Sequence, residues 1–263
     1  MYTVKLLDIP TTTITQVGAH VASATDKVGV SCLHALHGDH ANLVASAGWH
    51  KQFHLWDIRQ SSTTSAVCTL DLPGKAFGMD YDPDHQRLVV ATAGRRTCLI
   101  DIRSPTSAEI SLDRESSLKF QTRCISFFPG GNSFALGSVE GRVGVEFLEE
   151  LGLAGGKKYA FKCHRVNDTV YPVNCLAFHP KFHGTFATGG CDGTVVLWDG
   201  LHKKKLTSLP AFPTSISAMA FNHDGSQMAI AASYTYEEGD REHPRDEIYI
   251  RPMLDSECMP KTK

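Results

Sequence analysis

Residues 185–200 read TFATGGCDGTVVLWDG. The stretch is a run of small residues, then Asp192-Gly193, then an apolar run closed by Trp198-Asp199. Asp-Gly between two extended runs is the signature of a two-residue hairpin turn, with both central residues at positive φ. The same phrase recurs upstream as LVASAGWHKQFHLWDIR (43–59), LVVATAGRRTCLIDIR (88–103) and FALGSVEGRVGVEFLEE (134–150). The acidic residue closing each copy marks the period: Asp8, Asp57, Asp101, Glu149, Asp199 and Asp255 follow one another at roughly 44–56 residues.

A second phrase precedes most copies: VSCLHAL (30–36), AFGMDYDP (76–83), TRCISFFPGG (122–131), VNCLAFHP (173–180) and ISAMAFNHDG (216–225). Each period therefore holds strand a, a turn, a small-residue strand b, a tight b–c turn, strand c and a more polar strand d, which is one blade of a β-propeller. No segment carries a helical period that competes. The chain is expected to be all-β, one WD-repeat propeller domain over 1–263 with a tail at 254–263. Four full blades, three strands of a last blade and two strands at residues 2–17 are counted. Against the seven-bladed family this leaves about one and a half blades, roughly 60 residues, missing at the N-terminus.

In such repeats the tryptophan of strand c shares a hydrogen-bonded tetrad with a histidine before strand a, a Ser or Thr on strand b and an aspartate in the b–c turn. His164, Thr188, Asp192 and Trp198 fit that set, and His20, Ser46 and Trp56 fit a second, with His50 at its aspartate position. The eight cysteines have no C-x-x-C spacing and lie in apolar runs, so they read as reduced core thiols.

A formal net charge of −2 removes the general attraction for nucleic acid or anionic membrane, and any anion site must be local. The N-terminus has no signal-peptide pattern, which with the thiols suggests cytosol or nucleus. His179 and His183 in HPKFH have metal-like spacing but no third ligand is linked to them. LGLAGGKK (151–158) lacks the residues of a phosphate loop, QSSTTSA (60–66) reads as a loop, and the charged run at 237–247 interrupts the last blade between strands b and c. No nucleophile elbow or carboxylate pair is present. No enzyme activity, cofactor, metal, direct nucleic-acid contact or membrane contact is expected.

One feature remains. Trp49, Arg95-Arg96 and Arg142 occupy b–c turns, Arg123 opens a strand a, and Lys162, His164 and Arg165 lie where a strand d leads to the next strand a. In a propeller these turns share one rim. The positions suit either a solvated basic edge or a site for acidic or phosphorylated peptide, where arginine grips an anion bidentately and an aromatic supplies an apolar anchor.

The stretches RESSLKFQTRCISFF (114–128), EGRVGVEF (140–147), KKYAFKCHR (157–165), YPVNCLAFH (171–179), TFATGGCDG (185–193) and SYTYEEGDREHPRDEIYIR (233–251) closely resemble the mitotic spindle-checkpoint WD-repeat proteins of the Bub family, the branch of its third member. The resemblance implies a non-catalytic propeller of the nucleus and the mitotic kinetochore. It would act as an adaptor that binds GLEBS segments of the Bub checkpoint kinase and its Mad-type relative, and phosphothreonine Met-Glu-Leu-Thr motifs on a kinetochore scaffold. On the same ground Arg123 and Trp49 match residues that hold the GLEBS peptide, and Arg142 and Lys162 match the pair that grips the phosphothreonine. GWHKQF (48–53) stands where the family has a Trp-Asp turn. The alternative is the related nuclear-pore mRNA-export propeller, which shares EGR and FKCHR and also binds a GLEBS segment.

Overall fold

The computed structural model describes residues 2–20, 29–60, 65–148 and 158–260. By its internal contacts the chain forms two compact units, residues 1–116 and 117–263. The first unit holds a hairpin, β1 (Tyr2–Asp8) and β2 (Thr13–His20), and two four-stranded antiparallel sheets. One is β3 (Val30–Ala35), β4 (Leu43–Gly48), β5 (Gln52–Asp57) and β6 (Cys68–Asp71). The other is β7 (Ala76–Asp82), β8 (Arg87–Thr92), β9 (Arg96–Asp101) and β10 (Glu109–Glu115).

The second unit holds the sheet β11 (Thr122–Phe127), β12 (Ser133–Ser138), β13 (Arg142–Phe147) and β14 (Tyr159–Lys162), then a small hairpin, β15 (Arg165–Val166) with β16 (Thr169–Val170). A fourth four-stranded sheet follows, with β17 (Val173–Phe178), β18 (Thr185–Gly190), β19 (Val195–Asp199) and β20 (Lys204–Ser208). The last sheet has three strands, β21 (Ile216–Phe221), β22 (Gln227–Ala232) and β23 (Glu247–Pro252). The four-stranded sheets and the three-stranded one are the blades of a WD-repeat propeller, in the number the sequence phrases give, and the β15–β16 hairpin is additional to them. Among the described residues no helix is long and apolar enough to cross a membrane.

The second strands of three sheets, β8, β12 and β18, are buried along their whole length, because both faces are packed and no alternation with solvent is left. Within each unit, apolar side chains fill the space between successive sheets: Leu55, Leu88 and Ile100 in the first, Val145, Phe186, Leu197 and Ile230 in the second. All eight cysteines are unpaired. Burial holds the protons of Cys98, Cys124 and Cys163 on, pushing each thiol up to about 12.

The quoted stretch turns differently from the two-residue hairpin expected. Of its two turn residues only Gly193 has positive φ, at 71°, and its N–H donates to the Gly190 carbonyl at 3.2 Å. The Asp192 carboxylate accepts the Thr194 N–H at 3.1 Å and its hydroxyl at 2.8 Å, which keeps Asp192 itself out of the left-handed region. A four-residue turn, Gly190–Gly193, results.

The acidic residue of the repeat also has a job. Asp57 and Asp101 accept the backbone N–H and guanidinium of Arg59 and Arg103, and Asp199 accepts the His202 N–H and ring, so each closes a c–d turn. Two marks of the period need correction. Strand register puts Phe147 and Pro252 where Asp57 and Asp199 stand, paired with Ser133 and Gln227. Glu149, like most of LGLAGGKK and QSSTTSA, lies outside the described residues. Asp255 begins a helix, α1 (Asp255–Cys258), within the C-terminal tail. Cys258 is fully buried, its carbonyl accepts the Thr185 hydroxyl at 2.7 Å, and Glu257 pairs with Arg251 at 2.6 Å.

Candidate functional site

Each of the five first strands shifts register at its second residue, at Ser31, Phe77, Arg123, Asn174 and Ser217. A bulge re-aims the side chain it carries. Ser31 and Asn174 use it to reach the first strand of the next sheet, donating to the Ala76 and Ile216 carbonyls at 2.7 and 2.9 Å. Arg123 occupies the same bulge in β11, half-buried, with Nη1 3.9 Å from Cys191 Sγ.

Arg142 opens β13 and Lys162 ends β14, and register pairs them directly across the sheet. The antiparallel order of β11–β14 places Arg123, Arg142 and Lys162 at one end of one sheet, because strand a starts there, strand c starts there and strand d finishes there. Like charges directly opposite each other are destabilising in an antiparallel pair. Glu140 lies 3.5 Å from Arg142, and among the described residues Lys162 has no carboxylate partner. Arg165 leans over the same turn, donating to the Glu140 carbonyl at 2.9 Å.

Trp49 belongs to the other unit. Its indole stands 47% exposed in the b–c turn of β4–β5, over Gly29, with Lys75 Nζ 5.9 Å from the ring. Arg95 and Arg96 share that unit and do not form part of a free basic edge: Arg95 pairs with Glu115, and Arg96 with Asp113 at 2.8 Å. Strand d supplies both carboxylates, a pairing that the turn sequence alone does not show.

The tetrad residues meet. Trp198 Nε1–H donates to Thr188 Oγ1 at 3.0 Å, His164 Nε2 lies 2.8 Å from the same oxygen, and His164 Nδ1 lies 2.9 Å from Asp192 Oδ1. A carboxylate only accepts, so Nδ1 carries the proton and Nε2 accepts the threonine hydroxyl. Burial works to raise the Asp192 carboxyl, but the His164 and Thr194 hydrogen bonds outweigh it and hold it below the usual carboxylate range.

The second set also closes, with histidine in the aspartate's place. Trp56 Nε1–H donates to Ser46 Oγ at 2.7 Å, His20 Nε2 lies 2.7 Å from that oxygen, and His20 Nδ1 lies 2.8 Å from His50 Nε2. A third imidazole, missed in the sequence, joins them: His54 Nε2 is 3.3 Å from His50 Nε2. Its signal is the H-x-x-x-H spacing of HKQFH (50–54), the same as in HPKFH. At HPKFH the reading as a turn fits the structure, where the His179 ring accepts the Lys181 and Phe182 N–H groups at 3.1 Å each. Burial is the chief cause of low basicity in the cluster, bringing His20 to about 3 and His54 to about 4.

The charged run at 237–247 does fall between β22 and β23, and it is tied down rather than merely solvated. Glu237 accepts the Ser215 hydroxyl at 2.5 Å, Tyr234 Oη donates to the Gly239 carbonyl at 2.9 Å, and Arg241 pairs with Glu238. It walls a cleft of about 230 Å³ together with Cys191, Thr214 and Ser215.

Comparison with known proteins decides the family. The WD domain, G-beta repeat model matches residues 155–199. The mitotic checkpoint protein bub3 of Dictyostelium discoideum is 47% identical over 223 residues, covering 83% of this chain and 66% of that protein. The mitotic checkpoint protein bub-3 of Caenorhabditis elegans is 40% identical over 271 residues, covering 99% of this chain and 74% of that protein. The chain belongs to the bub3 family of mitotic checkpoint WD-repeat proteins. The poly(A)+ RNA export protein of Schizosaccharomyces pombe is similar at 34% identity over 267 residues, with 98% and 71% covered. The relatives named carry checkpoint or export names, and the matched model is a repeat module; none of these indicates an enzyme family. The chain spans just under two thirds of the Dictyostelium relative's length.

Proposed function

We propose that the chain is a non-catalytic mitotic adaptor of the nucleus and kinetochore, recognising two peptides: the GLEBS segment of checkpoint kinases of the Bub family and their Mad-type relative, and phosphothreonine Met-Glu-Leu-Thr motifs of a kinetochore scaffold. The observation that carries it is the cross-strand pair Arg142–Lys162. Two cations held face to face have a standing repulsion, and a phosphothreonine bringing about −1.5 to −2 charge relieves it while accepting hydrogen bonds from both. Arg123, presented by a bulge at the same sheet end, takes an acidic side chain of the GLEBS segment.

Calorimetric titration of the full chain tests the phosphate reading. Arg142→Ala and Lys162→Ala are each expected to weaken a phosphorylated Met-Glu-Leu-Thr peptide by about 1.5–3 kcal/mol, with the unphosphorylated peptide nearly insensitive to either change. Equal affinity of wild type and both variants for the phosphopeptide would remove Arg142 and Lys162 from the site.

Arg123→Glu is expected to abolish capture of a checkpoint-kinase GLEBS peptide in pull-down while circular dichroism and melting stay as in wild type. Normal capture by that folded variant counts against the assignment. The second reading, an mRNA-export adaptor, is supported by the similarity to the fission-yeast export protein. A nucleoporin GLEBS peptide run beside the kinase peptide separates the two, since the checkpoint reading requires the kinase peptide to bind more tightly.

A further inference from the structure

We infer that His20, His50 and His54 form a binding site for one divalent transition-metal ion, zinc in the first instance, on the first unit. Their ligand nitrogens all lie within 4.8 Å of one another. The converging atoms are His20 Nδ1, His50 Nε2 and His54 Nε2, with separations of 2.8 Å from His20 to His50 and 3.3 Å from His50 to His54. Tetrahedral zinc with bonds of about 2.0–2.1 Å sets its nitrogens about 3.3 Å apart. Two of the three separations are at or below that spacing, and the third lies within 4.8 Å.

Outer contacts orient two of the rings. The far nitrogen of His20, Nε2, meets Ser46 Oγ at 2.7 Å, and that of His54, Nδ1, meets Thr69 Oγ1 at 2.9 Å. Both oxygens can accept an N–H, which leaves the inward nitrogens as lone pairs, the arrangement that metal-bound histidines normally show. Ser46 is itself fixed by the Trp56 N–H. The rings stand on strands that do not move independently: His20 ends β2, His54 lies within β5, and His50 sits in the turn joining β4 to β5.

Hydrogen bonding alone accounts for the cluster poorly. Whether His50 Nε2 donates to a neighbouring ring or accepts from it, the other nitrogen of His50, Nδ1, gains nothing from the cluster. That nitrogen is buried with no hydrogen-bond partner among the described residues. An ion in the centre uses all three inward lone pairs at once. Neutral imidazole is a good ligand for zinc, copper and nickel, and three histidines leave a fourth position for water or an outside ligand.

The experiment uses the untagged full chain, titrated with Zn²⁺ alone by calorimetry and with Co²⁺ alone in visible spectroscopy. One Zn²⁺ per chain and a raised melting temperature are expected. Co²⁺ should give ligand-field bands of a low-coordinate nitrogen site with no sulfur-to-metal charge transfer. His54→Gln, which leaves the His20–Ser46–Trp56 hydrogen bonds intact, should lower Zn²⁺ affinity by roughly 100-fold or more. His183→Gln, which alters the other H-x-x-x-H pair, should leave it unchanged. Absence of stoichiometric binding by folded wild-type chain overturns the site. Thiolate charge-transfer bands, which would assign the ion to cysteines, overturn it as well. So does undiminished affinity in His54→Gln with a wild-type circular dichroism spectrum. The cobalt spectrum of the wild-type chain decides the matter even where a variant does not fold.

Discussion

Asp192→Ala is expected to destabilise the second unit by about 3–5 kcal/mol, because it takes one buried charged acceptor away from three donors, each such hydrogen bond contributing about 1.5–3 kcal/mol before the remaining groups compensate. The carboxylate has a relative exposure of 4% and its partner His164 of 0%. It accepts from His164 Nδ1–H and from both the N–H and hydroxyl of Thr194. Truncation leaves those donors competing for one another in a space closed to water; Thr194 Oγ1, 3.2 Å from His164 Nδ1, replaces only part of what is lost. The turn also loses the contact that keeps residue 192 out of the left-handed region.

Denaturant unfolding read as a change in midpoint measures the effect, and a loss under about 1 kcal/mol would show that the tetrad contributes little. Comparison with Asp192→Asn adds a pH test. The folded carboxyl titrates below its unfolded value, so its contribution is fully present above about pH 4 and disappears as pH falls through the folded value. The gap in stability between wild type and Asp192→Asn should therefore be flat near neutrality and narrow in acid. A gap that widens in acid contradicts the pairing.

Trp56→Ala should cost the first unit a similar amount, about 3–5 kcal/mol, for a different reason. The indole is 2% exposed and packs with Val4 and Val17 from the N-terminal hairpin and Val44 from β4. It lies so close to Gly18 that a Cβ there would come within 2.2 Å of its ring, so β2 can pass only as glycine at that point. Removing the ring opens a cavity between hairpin and sheet and leaves Ser46 without its donor. Trp56→Phe separates the terms: it retains most of the packing and loses the N–H, and should cost roughly 1–3 kcal/mol. If Trp56→Ala unfolds at the wild-type midpoint, the hairpin does not rely on this contact.

The bub3-type reading of residues 114–251 was accessible from the sequence because a repeat exposes itself several times over. The phrase around Trp198 fixes four strands, a turn and a tetrad at local spacing. His164, Thr188, Asp192 and Trp198 lie within a single period, where the order of antiparallel neighbours leaves little freedom. Arg142 and Lys162 could be placed on one rim by the same logic. Their direct pairing could not, since it depends on the register of β14 against β13, which the spacing of the phrases does not set. Arg95 and Arg96 show the opposite case: their turn looked like that of Arg142, yet Glu115 and Asp113 from strand d neutralise them.

By itself the sequence determined the all-β repeat, the positions of its strands and the residues of the Trp198 tetrad, because strand alternation and turn chemistry act over a few residues. Only the tertiary structure decided which charges keep company and which histidines converge. Arg123 is aimed by a bulge and Lys162 by a register, each set by how a strand aligns with its neighbour, and His20 is brought to His50 and His54 by packing between β2 and a sheet further along the chain.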